Sequence, residues 1–264
     1  MVTFKTGDKT VNNNLSFINL LQEFRSFGEF AGFANSAWMW RLGERAERPK
    51  AILLIPGFLA GDSTLYPFAN WLRSRGHRVF FSGIMANADC PRRAVDRLGR
   101  ILNGQYEKAG SRLVIIGHSL GGIYARELAR RFPEKVEQII LLGSPIHEPL
   151  EHANPYVVMV ARLTRRLRHH SSCDLGTICG INGDAPPPGV RETIIYSKND
   201  GIVDWPSCIE QGPNVEAVEV NGTHVGLPYN LETLNVIKDR IERKVPRTGI
   251  LRQFPKSRTA HAAV

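Results

Sequence analysis

The sequence predicts an α/β fold, a mostly parallel sheet flanked by helices, and three observations predict it. Short apolar runs recur near 51–55, 78–82, 112–117, 138–143, 192–197 and 215–220, with the length and composition of buried strands. Helical patterns occupy most of the intervals between them, at about 64–75, 92–108, 119–131 and 230–244. Strand–helix alternation of this kind is the signature of parallel sheets. The third observation is a glycine-rich turn, Gly117-His118-Ser119-Leu120-Gly121-Gly122, set directly between a strand-like run and a helical one.

Taken in order, residues 1–47 precede the alternation. Leu15 to Phe33 mixes leucine and phenylalanine with Gln22, Glu23, Arg25 and Glu29, which reads as a helical lead-in. Its apolar stretch is interrupted and lacks a basic opening, so it reads neither as a secretory signal nor as a membrane span. The alternating core follows over 48–244. Its first strand, Ala51-Ile52-Leu53-Leu54-Ile55, runs into Pro56-Gly57-Phe58-Leu59, and its second into a loop, Met85-Ala86-Asn87-Ala88-Asp89-Cys90. In that loop Asn87 either braces the neighbouring Pro56 loop by hydrogen bonding or turns the chain. The helix after Ser119 is stopped by Pro133.

Between Gly143 and Glu192 the alternation breaks for about fifty residues, too long for an ordinary connection. A small lid insertion is expected there, over about 146–190. Tyr156 to Leu163 is apolar and compatible with a helix, Arg165-Arg166-Leu167-Arg168-His169-His170 is basic, and Asp184-Ala185-Pro186-Pro187-Pro188-Gly189 is a stiff link back to the sheet. Such a lid would cover a pocket and touch anionic interfaces; a solvated cationic helix face accounts for the same residues. Residues 245–264 read as a basic, flexible tail.

Gly-x-Ser-x-Gly between a strand and a helix is the pattern of a nucleophile elbow. The turn forces the serine into a strained backbone, and glycines two residues to either side remove the side chains that would collide. In a sheet of this type the acid and the base follow the serine in that chain order. Of the eight histidines, only His224 and His261 lie beyond the strand-like run 192–197, and His261 belongs to the polar tail. His224 sits in Asn221-Gly222-Thr223-His224-Val225-Gly226-Leu227, directly after the last strand-like run. Asp200 follows the preceding run in Lys198-Asn199-Asp200-Gly201. Asp204 is its rival, and Asp200 is favoured because it leaves the strand first, where reach is shortest.

In these segments the chain resembles the α/β-hydrolases of the bacterial lipase and esterase type, over roughly residues 48–244. Ala51 to Leu59 is similar to their first core strand and oxyanion loop, Tyr196 to Val203 to their acid loop, and Thr223 to Leu227 to their histidine loop. Pro56 departs from the histidine that many lipases carry before the oxyanion glycine, a small departure because the donor there is a backbone N–H further on. The resemblance implies the α/β-hydrolase fold and a serine esterase or lipase of lipid metabolism. Its catalytic triad would be Ser119, Asp200 and His224, and the N–H groups of Phe58 and Leu120 its oxyanion hole. Leu59, Ile146 and Val225, with Phe58, are candidates for the substrate pocket. A serine at 119, where dehalogenases and epoxide hydrolases need a carboxylate, favours acyl transfer to water.

Composition bounds the alternatives. At 264 residues and 42% hydrophobic content the chain can bury one core. The formal charge of +9 is concentrated in the lid arginines and the C-terminal run, and no nucleic-acid module is evident, so nucleic acid is not expected. Peripheral contact with an anionic membrane or with a sister subunit fits that charge better. The cysteines are Cys90, Cys173, Cys179 and Cys208; they allow three pairings or none, and their spacing is not that of a zinc site. Neither metal nor cofactor is expected. Cytoplasmic residence is the default, and disulfides would point to export. The same triad serves acyltransferases, thioesterases, lactonases and amidases, and a pocket without chemistry would make a binding protein.

Overall fold

Six strands, β1 (Ala51–Ile55), β2 (Arg78–Phe81), β3 (Leu113–His118), β4 (Val136–Leu142), β5 (Arg191–Tyr196) and β6 (Val215–Glu219), form one sheet in the order β2-β1-β3-β4-β5-β6. Every neighbouring pair is parallel. The computed structural model describes residues 23–40, 45–147, 153–155, 158–159, 181, 185–187 and 189–242. The helices described in full beside the strands are α1 (Ser26–Trp40), α2 (Tyr66–Ser74), α3 (Pro91–Ala109), α4 (Leu120–Arg131) and α5 (Leu231–Glu242). The predicted strands and helices reappear with their ends moved by one or two residues. β5 and β6 are joined without a full helix, by a turn and the short 3-10 helix Trp205–Cys208. Residues 156–157 and 160–170 of the expected lid, Cys173, Cys179 and the expected tail 245–264 lie outside the described residues.

The near-continuous apolar strands are explained by burial on both faces. Alternate residues serve opposite layers. Leu53, Ile55, Ile115 and Leu141 pack with Val95, Leu98 and Leu102 of α3 and Ile123, Tyr124 and Leu128 of α4. Ile52, Leu54, Val114, Ile116 and Leu142 pack on the other side with Phe68 and Leu72 of α2, Phe33 of α1 and Leu234, Ile237 and Ile241 of α5. Local chemistry sets the helix ends. Pro91 opens α3 at its first position, where no N–H is needed, and Gly110 closes it in the left-handed region at φ 66°. α4 ends at Phe132, driven to φ −134° before Pro133.

A buried ion pair ties α4 to β5. Arg126 Nε and Nη2 donate to the two Glu192 oxygens at 2.6 and 2.9 Å, and Nη2 also donates to Glu210. Burial raises the Glu192 carboxyl above its usual range against the pull of Arg126. No helix among the described residues is long and apolar enough to cross a membrane.

The register lines up the strands' carboxyl ends. Ile55, Gly117, Leu141, Ile194 and Ala217 form one row across β1, β3, β4, β5 and β6. The chain moves outward to β2 after β1, then returns across β1 to place β3 on its other side. A crevice opens outside the carboxyl ends at such a switch point, and ligands of open α/β sheets bind there. The loops after β1, β3, β5 and β6 all converge on that edge.

Candidate active site

Ser119 is the first residue beyond β3 and has φ 54° and ψ −121°, one of two non-glycine residues with positive φ among the described residues. The conformation is over-determined by its surroundings. Its N–H donates to the Leu142 carbonyl at 2.8 Å, and its own carbonyl accepts from the Gly122 N–H at 2.9 Å. A Cβ on Gly117 would lie 2.3 Å from the Gly121 carbonyl oxygen, and one on Gly121 would lie 2.3 Å from that of Ile55. Only glycine fits at either place, which is why the turn carries glycines on both sides of the serine.

The two later loops meet at the cavity that Ser119 also lines. His224 Nδ1 lies 2.6 Å from Asp200 Oδ2, both side chains being buried. The other Asp200 oxygen, Oδ1, accepts from the N–H groups of Ile202 at 2.9 Å and Val203 at 2.7 Å. The carboxylate is thus fixed by its own turn, and the imidazole nitrogen facing it carries the proton. Burial draws the His224 imidazole downward, and the Asp200 carboxylate, with Glu23 behind it, more than offsets this, so His224 lies above its ordinary value. Asp204 stands instead at the start of the Trp205–Cys208 helix, where its carbonyl accepts from Ser207.

His118, inside the glycine turn, is a residue that sequence reasoning missed. Its Nε2 donates to the His224 carbonyl oxygen at 2.9 Å, and the two rings stand 4.9 Å apart. Burial, and then the His224 charge, hold it neutral by lowering it to about 3. The motif notation hides it, because the position before the serine is unspecified.

The loop after β1 forms the facing wall. Leu59 has φ 59°, and Asn87 holds the loop in that shape. The Leu59 N–H donates to the Asn87 carbonyl at 3.0 Å, the Asn87 N–H to the Ala60 carbonyl at 2.8 Å, and the Asn87 side-chain amide to the Pro56 carbonyl at 2.8 Å. Of the two roles open to Asn87, the structure has it bracing the loop. Among the described residues no acceptor takes the N–H of Phe58 or of Leu120.

These walls enclose a cavity of about 330 Å³, lined by Ser119 and His224, by Phe58, Leu59 and Leu65, and by Ile202, Val225 and Tyr229 among others. Apart from Ser119, the two histidines, Thr64 and Tyr229, the lining side chains are apolar. Of the expected pocket residues, Phe58, Leu59 and Val225 line it. Ile146 does not: it is 3% exposed, packed in the core, with its N–H donated to the Ser207 carbonyl. The chain leaving β4 turns inward there. Cys90 and Cys208 are not bridged to each other, and burial, then the Asp200 charge, push the Cys208 thiol well up.

Two acids from the N-terminal segment also reach the site and were not foreseen. Glu23, in the short helix Glu23–Arg25, and Glu29 of α1 accept hydrogen bonds from the loops that hold Asp200 and His224. The sequence carries no signal of this, since the neighbouring Phe24, Phe27 and Phe30 are exposed.

A family model described as a PGAP1-like alpha/beta domain matches residues 87–203, a span that includes Ser119 and Asp200. No curated protein matches the chain. Solved structures share the fold at low identity. The Bacillus licheniformis lipase BlEst2 in mature form is 14% identical, with 76% of this chain and 96% of that one covered and a TM-score of 0.53. MGS-MChE2, an alpha/beta hydrolase from the metagenome of Mar Chica lagoon sediments, Morocco, is 18% identical over 74% and 90%, with a TM-score of 0.51. The Paleococcus ferrophilus monoacylglycerol lipase is 12% identical over 73% and 93%, with a TM-score of 0.50. The all-parallel sheet of switched strand order, layered on both faces, is the α/β-hydrolase fold that the chain shares with these structures.

Proposed function

We propose that the protein is a serine hydrolase that cleaves carboxylic esters, an esterase or lipase. One observation carries the reading: Ser119, held at positive φ, and His224, hydrogen-bonded to Asp200, line the same apolar cavity. An apolar chamber with few convergent polar groups suits an acyl chain, and its size lies in the range of about 300–1,000 Å³ usual for small-molecule sites.

In the first half-reaction Ser119 Oγ attacks the ester carbonyl carbon while His224 Nε2 takes its proton. Asp200 accepts from Nδ1–H, fixes this tautomer and stabilises the imidazolium. The carbonyl oxygen becomes an oxyanion, received by the N–H groups of Phe58 and Leu120, each worth about 2.7–4 kcal/mol of barrier in comparable sites. Collapse of the tetrahedral adduct breaks the bond to the alcohol, which leaves with the proton from His224. Water then attacks the acyl-enzyme by the same route, releasing the acid and restoring Ser119.

Hydrolysis of p-nitrophenyl esters from acetate to palmitate tests this. Turnover with a defined chain-length optimum is expected, abolished in Ser119→Ala along with fluorophosphonate labelling. A folded protein inert toward every ester would sink the reading and direct the search to acyl transfer or amide substrates.

A further inference from the structure

The segment ahead of β1 is bolted to the two loops on which the site depends. Glu23 is only 8% exposed, and its carboxylate accepts three backbone hydrogen bonds. Oε1 receives the N–H of Gly201 at 2.9 Å and that of His224 at 3.0 Å, and Oε2 receives that of Val225 at 2.8 Å. One donor follows Asp200 directly; another belongs to His224 itself. No other acceptor among the described residues takes these three N–H groups. Hydrogen bonds to a charged acceptor are about twice as strong as neutral ones, and a buried carboxylate needs them.

Glu29, six residues further on in α1, makes a similar set of contacts. It accepts from the Thr223 N–H at 3.0 Å and hydroxyl at 2.5 Å, and from the Asn230 side-chain amide at 3.3 Å. Helix α1, which carries Glu29 and directly follows the Glu23–Arg25 turn, is anchored independently of both acids. Phe33 is buried against the sheet, and the rings of Phe30 and Phe33 lie 5.3 and 5.8 Å from that of Tyr229, a cavity wall. The carboxylate therefore works from a fixed base.

We propose that Glu23 is a positioning residue for the Asp200–His224 pair, clamping the acid loop and the histidine loop at one spacing, so that the N-terminal segment completes the site. The inference rests on the hydrolase reading above. Near the strand ends the loops are joined by the Gly222 N–H on Ser197 Oγ and the Asn199 amide on Asn221, and Glu23 adds the link directly at Gly201 and His224. A displacement of about 1 Å in a catalytic group can cost on the order of 100-fold in rate. The groups that face His224 are Asp200, Glu23 and His118, so the carboxylate also adds to the negative side of that balance.

The test uses the full chain with Glu23→Ala and Glu23→Gln, checked for cooperative thermal unfolding. Glutamine keeps a carbonyl for Gly201 and His224 and turns an amide donor toward Val225. Expected is a fall in kcat of about 30- to 100-fold for alanine, a smaller one for glutamine, and little change in KM. In both, the acid limb of kcat/KM moves to lower pH. Folded variants whose kcat stays within about twofold of wild type, with the limb unmoved, would overturn the proposal. If the wild-type chain turns over no ester, the hydrolase reading itself has failed, and proton NMR then decides the role of Glu23. The far-downfield resonance of the His224 Nδ1–H proton is expected to be lost or shifted in Glu23→Ala; an unchanged resonance would leave Glu23 no positioning role.

Discussion

The side-chain amide of Asn87 donates to the carbonyl oxygen of Pro56 across 2.8 Å, pinning the loop after β1 from the loop after β2. The brace is buried, and Leu59 beyond it holds a positive φ that leucine does not adopt unaided. Asn87→Ala would leave the Pro56 carbonyl without its donor, at a cost of about 1–3 kcal/mol in stability. Release of the loop would also misplace the Phe58 N–H. A fall in kcat of about 10- to 100-fold is expected, up to the loss of one oxyanion donor. Steady-state kinetics beside denaturant unfolding check both. A stability loss with kcat unchanged would mean that Phe58 does not serve the oxyanion.

How much of this arrangement was legible follows from which atoms make it. The positions of Ser119, Asp200 and His224 could be read because each follows a strand in a fixed order, and a parallel sheet delivers such loops to one edge. Glu23 could not be read, since its partners are backbone N–H groups 178 and 201 residues away, and backbone donors leave no mark in a sequence. His118 was hidden for a related reason: its partner is the carbonyl of His224. Ile146 went astray because an apolar residue at a strand exit looks the same whether the chain turns to the pocket or the core. Only the bond from its N–H to the Ser207 carbonyl decides it.

Two aspartates in the acid loop can be separated by one pair of variants. Asp200→Asn keeps the side chain's shape and the turn but presents an amide to His224, favouring the wrong tautomer. A drop in kcat on the order of 10⁴ is expected, the size seen for such a change in a serine protease triad. Asp204→Asn, at the head of the Trp205–Cys208 helix, is expected to leave kcat within a few-fold. The opposite ranking would transfer the acid's role to Asp204.

His118 makes a prediction about stability rather than rate. It is held at about 3 in the folded protein and returns to its ordinary value near 6.5 when unfolded. Between those values the unfolded chain binds the extra proton, so stability is full above pH 6.5 and is lost as pH falls toward 3. The slope from this one residue approaches about 1.4 kcal/mol per pH unit. His118→Gln retains a donor for the His224 carbonyl without titrating. Its unfolding free energy is expected to fall less steeply than that of wild type across this window, and equal slopes would contradict the assignment.

His224 titrates in the opposite sense, and its consequence is kinetic. In the proposed mechanism the imidazole must be unprotonated at Nε2 to take the Ser119 proton, while Asp200 and Glu23 favour the charged form and lift His224 above 6.5. Activity is therefore expected to fall as pH drops through a value above 6.5. The same charge balance contributes stability that is fully present below 6.5 and lost as pH rises through the folded value. Rate and this part of stability thus run against each other across neutrality. A pH profile of kcat/KM, which reports the free enzyme, measures the limb. Removing the first attraction with Asp200→Asn should move it to lower pH in the residual activity. A limb unchanged in that variant would mean that another group, not His224, governs the rate.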